Sequence, residues 1–228
     1  MTIVILHGPS GKYFYTVNKK LLQTKKHLIM KQGLIRKNGR SGLLVFFLLF
    51  ASVASFSQSR YTSSLVDLTV SGTSTLHDWT MKNAKADCSA DITVGSTGQI
   101  TGVDNLQFST PVRSLKSEHS GMDNNAYKAL KTDKNPDISF TVTSVTIASA
   151  QAGGSTVTCK GKLAIAGTSR EAEVVALCKL SADNTIDVSG TEKISMKDFS
   201  IAPPTFMMGT IKTGNDVVLT FHLTLKKS

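Results

Sequence analysis

The sequence predicts an all-β domain, a sandwich or a barrel, carrying one short helix. Three observations lead there. From Gln58 onward, Val, Ile, Thr and Phe recur with period two over most segments. Gly, Asn, Asp and Ser break the alternation at short intervals, as turns between strands do. Only residues 122–131 show helical spacing, and many strands with so little helix fit a sandwich or a barrel. A barrel also removes exposed strand edges, which protects a protein from edge-to-edge aggregation.

The chain has 228 residues, of which 40% are hydrophobic and 18% charged, a composition that excludes a disordered protein. Its net charge of +10 points at first to a polyanion partner. The distribution reverses that reading. Nine of the 26 Lys and Arg precede residue 58, where there is no Asp or Glu, leaving 17 basic against 16 acidic residues after it. A domain so nearly neutral has no global attraction for nucleic acid.

The basic excess belongs to a leader. Residues 43–54 form an apolar run of 12, too short for the roughly 20 residues that span a bilayer. Lys31, Arg36, Lys37 and Arg40 precede it, and small residues follow. That order is a secretory signal peptide over 30–57, with cleavage expected after Ala54 or after Ser57. Met30 stands where such a signal begins, so residues 1–29 read as an upstream extension and Met30 as the true start. No Cys follows the apolar run, which argues against a lipid-anchored N-terminus. The mature domain is then 58–228, without a stable membrane span once the signal is removed.

The strands follow in order. Segment 65–71 puts Val66, Leu68 and Val70 on one face. Met122, Ala126 and Leu130 share a face of the helix, with Asp123 as its expected cap. Segment 138–147 aligns Ile138, Phe140 and Val142. Residues 155–180 read as a hairpin with a turn over 166–170. Val157, Cys159, Leu163 and Ile165 face the same side as Ala172, Val174, Ala176 and Cys178, and Ile165 is expected opposite Ala172. Segment 217–225 aligns Val217, Leu219, Phe221, Leu223 and Leu225. The expected register places Cys159 opposite Cys178. In an oxidising compartment they could form a cross-strand disulfide, and two buried free thiols are the other reading.

Little in the chain carries covalent chemistry. There is no nucleophile elbow, phosphate loop, dinucleotide fingerprint or metal-ligand spacing. His77 followed by Asp78 is compact, but adjacent strand residues point to opposite faces, so Asp78 is poorly placed to orient His77. His77 reads better as a polar rim residue. No catalytic residue and no metal site are assigned, and no enzyme activity is expected. The most unusual stretch is 194–213, where Pro203-Pro204 stops regular pairing and Phe206, Met207 and Met208 follow on a loop.

Four stretches in order carry a resemblance. They are Ser74 through Trp79; Met122 through Phe140; Gly161 through Gly167; and Asp198 through Pro204 with Gly209 through Lys212. Together they resemble the YceI-like family of exported bacterial proteins, over nearly all of 64–226. The resemblance implies an antiparallel lipocalin-like β-barrel with a long apolar tunnel able to hold a polyisoprenoid, for instance an isoprenoid quinone-like lipid. It also implies placement in the periplasm or outside the cell. On that reading the protein carries an amphiphilic lipid or isoprenoid and needs no other cofactor. Contacts are expected from Trp79, Met122, Tyr127, Leu130, Phe140, Phe199, Phe206, Met207 and Met208. The alternative is a barrel with a filled core that serves as a protein-interaction or structural module.

Overall fold

Period-two burial organises the chain from Gln58 onward, and it does so around a closed ring of strands. A computed structural model describes residues 2–8 and 11–17 by their backbone, and residues 58–150 and 154–228 with side chains. The signal peptide expected over 30–57 lies outside the described residues, as does most of the expected extension. Within that extension, β1 (Thr2–Gly8) and β2 (Gly11–Val17) pair as an antiparallel hairpin, with Gly8 opposite Gly11.

The main unit runs through β3 (Gln58–Ser74), β4 (Trp79–Asn83), β5 (Asp87–Val94) and β6 (Ile100–Pro111) to the helix α1 (Ser120–Ala129). It continues through β7 (Asp137–Ser149), β8 (Ser155–Ile165), β9 (Thr168–Leu180), β10 (Ile186–Ser195), β11 (Thr205–Phe206) and β12 (Ile211–Lys227). Eight strands, β3, β5 to β10 and β12, follow one another antiparallel, and pairing of β12 with β3 closes the barrel. Closure leaves no open edge in the ring. The short strands β4 and β11 lie against β3 and β12 at one end.

The inward faces are those the alternation predicts. Leu219, Phe221, Leu223 and Leu225 of β12 point inward, as do Phe140 of β7, Val157 and Cys159 of β8, and Ala176 and Cys178 of β9. Two bulges shift the parity. In β3, Leu65 pairs with Thr224 and Ser63 with Leu225, so an extra residue brings Tyr61 inward as well as Leu68. In β7, the irregularity between Val142 and Ser144 turns Val145 and Ile147 to the inside.

The β8–β9 register differs from expectation by four residues. Ile165 pairs with Thr168, Cys159 with Val174 and Ser155 with Cys178. The turn has only two residues, Ala166 and Gly167, with φ of 51° and 82°. Positive φ at both central positions makes the tight hairpin whose twist suits antiparallel strands. An even shift preserves the faces but separates the sulfurs. Four residues along a strand span about 13 Å, beyond the Cα separation a disulfide allows. Cys88, Cys159 and Cys178 are all free.

The helix also starts earlier than its apolar spacing suggests. Its N-cap is His119, and Asp123 lies one turn inside. Asp123 does not cap the helix. It reaches back to accept the Ser117 N–H at 2.7 Å and the Ser117 hydroxyl at 2.8 Å, tying the approach loop to the first turn.

Candidate functional site: an apolar cavity

The two halves of the barrel are filled differently. Towards one end, Tyr61, Ala90, Ile92, Ile100, Val157, Ile186 and Leu225 pack into a closed core, with Ile186 and Ala90 fully buried. None of these seven lines a cavity. In the other half the inward residues stand around a space of about 580 Å³. That falls within the range of small-molecule sites, roughly 300–1,000 Å³. The filled-core alternative therefore does not describe this half.

The cavity is built in tiers. Small side chains, Cys88, Cys159 and Ala176, lie next to the closed core. Above them Leu68, Phe108, Phe140, Leu163, Val174, Val188, Leu219 and Phe221 form the wall. The open end is roofed by α1, through Met122, Ala126, Ala129 and Leu130, and by the segments around Leu76 to Trp79 and Met196 to Ile211. Phe199 and Ile201 pack with Ile165, Ala129, Leu130 and Ile138, which fixes this roof to the barrel rim. The loop before α1 is anchored separately, by reciprocal backbone bonds between Lys82 and Lys116 at 2.7 and 2.8 Å.

Seven of the nine expected contacts line the cavity: Trp79, Met122, Leu130, Phe140, Phe199, Phe206 and Met207. Trp79 sits over Gly72, and its indole N–H donates to the Thr73 carbonyl at 3.0 Å. Met207 lines the opening while remaining 75% exposed.

Tyr127 and Met208 do not line the cavity. Tyr127 turns away from the cavity, and its hydroxyl donates to the carbonyls of Leu115 at 2.8 Å and Arg113 at 3.0 Å. Arg113 and Lys116 flank its ring, so the residue staples α1 to the preceding loop. A position one residue on from Ala126 is rotated about 100° from the stripe of Met122, Ala126 and Leu130, which is the physical reason. Met208 is fully exposed, held outward by a left-handed backbone at φ 55°.

His77 lies on the rim, and its ring Nδ1 is engaged at 2.6 Å by the carbonyl of Asp78 rather than by its carboxylate. This is the rim role that the sequence favours. Among the described residues no group of three or more His, Cys, Asp or Glu could hold a metal ion, and no helix is long and apolar enough to cross a membrane.

Burial keeps the thiols protonated. It pushes Cys88 and Cys159 up to about 11 and Cys178 up to about 12, with Cys159 adding to the effect on the other two. These are inert thiols, two of them part of the cavity lining.

Sequence reasoning missed Glu192. It shares the inward face of β10 with Val188 and Ile194, opposite Leu219 of β12, and it lines the cavity. Burial, with the nearby Glu173 charge, raises its carboxyl above the ordinary glutamate range. The signal was present as a carboxylate in the apolar phase of an alternating strand.

A family model described as a YceI-like domain matches residues 51–225. Among solved structures, Burkholderia cenocepacia BcnA gives a TM-score of 0.55 at 16% identity, covering 70% of this chain and 95% of that one. A Saccharophagus degradans domain, described as a polyisoprenoid binding domain implicated in plant cell wall breakdown, gives 0.53 at 12% identity, covering 75% of this chain and all of that one. At these identities the likeness is one of fold. No curated protein sequence matches the chain.

Proposed function

The chain belongs to the YceI-like family, and from that premise we propose that it is an exported carrier holding a polyisoprenoid or similar amphiphilic lipid in its barrel. The observation that carries the proposal is the hollow apolar half of the barrel. Transfer of an apolar chain from water is favourable by about 0.8 kcal/mol per CH₂, so such a wall holds a prenyl chain with few polar contacts. The closed core at the other end makes the site blind, with one roofed entrance for a tail to enter. The description of the Saccharophagus domain as polyisoprenoid binding supports the same ligand class.

Export follows from the leader read in the sequence. In the periplasm or outside the cell, an apolar chain left in water would aggregate or enter a membrane, and a barrel of this kind shields it. We read the protein as a binding protein that carries or stores its ligand, without a catalytic step.

The test is mass spectrometry of the protein purified from its host, intact under native conditions and again after organic extraction, followed by titration with a long-chain prenol. A stoichiometric prenyl or fatty-chain species, or saturable prenol uptake, is the expected result. An empty protein that also refuses the prenol overturns the reading.

A further inference from the structure

Glu192 is an anomaly in the cavity wall. Its neighbours on the same face of β10 are Gly190 and Ile194, and its partner across β12 is Leu219. The remaining wall is Leu, Val, Phe and Met, with Asn83, Thr110 and the two rim histidines among its few polar members. Among the described residues no Lys or Arg lines the cavity.

Among the described residues the carboxylate has no side-chain partner: Glu192 takes part in no side-chain hydrogen bond and no ion pair. Lys193, the next residue of β10, pairs with Asp216 at 2.9 Å, and Lys160 of β8 pairs with Glu173 of β9 at 3.1 Å. Glu192 also stands where the wall parts. Pairing of β9 with β10 ends at Gly190 opposite Ala176, so the carboxylate lies just beyond the last bonded pair. Only partly buried, the carboxylate keeps access to solvent, and a bound head group that displaces that water must offer it a donor in return.

We infer that Glu192 is the polar anchor of the cavity. On this view the bound lipid presents to it a hydrogen-bond-donating or cationic head, such as a hydroxyl, an amide N–H or an amine, and not a phosphate or carboxylate. The inference rests on the proposed lipid-carrier reading and narrows it. A carboxylate attracts donors and repels anions, and among the described residues no Lys or Arg lines the cavity to neutralise a phosphate beside it. The apolar tail then fills the tiers between Phe140 and the floor thiols, while the head is fixed laterally on β10.

The experiment compares four probes of one chain length, a prenyl alcohol, amine, monophosphate and the plain hydrocarbon, against the full protein and the variants Glu192→Leu and Glu192→Gln. The alcohol and amine are expected to bind the native protein roughly tenfold to a hundredfold tighter than the phosphate. Glu192→Leu should remove that preference while the hydrocarbon still binds, at least as tightly as to the native protein. Glu192→Gln should keep the alcohol and lose the added preference for the amine. Native protein that binds the phosphate as tightly as the alcohol, or a Glu192→Leu variant with the same preference, overturns the anchor while leaving the carrier. Failure of every probe, hydrocarbon included, overturns the carrier reading and the anchor with it. Unchanged thermal unfolding of both variants shows that any loss is not one of folding.

Discussion

The benzo ring of Trp79 occupies the space where Gly72 would carry a Cβ, the two residues being directly paired across β3 and β4. The indole N–H is fixed in the same geometry, donating to the Thr73 carbonyl next to that glycine. The contact therefore sets where the ring stands at the cavity rim. Gly72→Ala should push the ring out of its seat and cost about 1–3 kcal/mol of stability. Because this is the only Trp of the chain, its emission reports the movement directly. A red shift with a lowered unfolding midpoint is expected; an unchanged spectrum would mean that the indole does not depend on Gly72.

Ala176 offers the complementary change. It is buried on β9 within the hydrophobic core and also lines the cavity. Ala176→Phe should fill part of the cavity at a cost of about 1–3 kcal/mol, the usual penalty for adding volume beside packed neighbours. Prenol uptake should fall at least about tenfold, since the larger ring takes the tail's place. Titration followed through Trp79 emission checks both expectations. Full uptake by the folded variant would place the lipid outside the barrel.

The faces of the strands were legible in the sequence because burial on a pleat has a strict period. Phe140, Leu163, Ala176 and Phe221 all point where alternation puts them. Register was not legible between Cys159 and Cys178, because a two-residue turn at Ala166-Gly167 and a longer loop over 166–170 leave the same pattern of faces. The bulges in β3 and β7 are equally silent, since one extra residue leaves no compositional mark. In the site, apolar rim residues such as Phe206 and Phe199 were visible by kind. Tyr127 was misplaced because its hydroxyl, held by the carbonyls of Arg113 and Leu115, decides its direction. Glu192 was not legible because a lone carboxylate in an alternating strand reads by kind as an outward residue.

The three free thiols predict a response to alkali. Burial raises all three from an ordinary value near 9 to about 11 or 12, so the unfolded chain gives up these protons first as pH rises. Their contribution to stability is fully present below about pH 9 and is lost as pH climbs through the folded values. The urea midpoint should fall more steeply between pH 9 and 11 in the native protein than in a triple Cys88→Ala, Cys159→Ala, Cys178→Ala variant. Parallel slopes would count against the buried thiols. At pH 8 a thiol reagent should find none of the three in the folded protein and all three after unfolding.

Asp123 predicts the opposite response, in acid. Burial pushes its carboxyl up, but the Ser117 N–H, the Ser117 hydroxyl and Lys116 at 3.6 Å outweigh that and hold it below the ordinary aspartate range. A lowered folded value means that the contribution is present above the unfolded pKa and is lost as pH falls through the folded one. The clamp ties the approach loop to α1, and α1 supplies Met122, Ala126, Ala129 and Leu130 to the roof of the cavity. Asp123→Asn keeps the shape of the side chain but removes its charge and one of its acceptors. At neutral pH it should cost about 1–3 kcal/mol, the usual loss when charged hydrogen bonds are broken in a buried place. The gap between the native protein and the variant should begin to narrow as pH falls through the ordinary aspartate value near 4 and close only below the lowered folded value. Because the helix roofs the entrance, the variant should also release a bound prenol faster at pH 7 while its equilibrium capacity stays at one per chain. Unfolding midpoints measured from pH 3 to 7, paired with prenol off-rates at pH 7, test the two halves separately. A constant gap across that range would reject the charged clamp, and an unchanged off-rate would separate the clamp from the entrance.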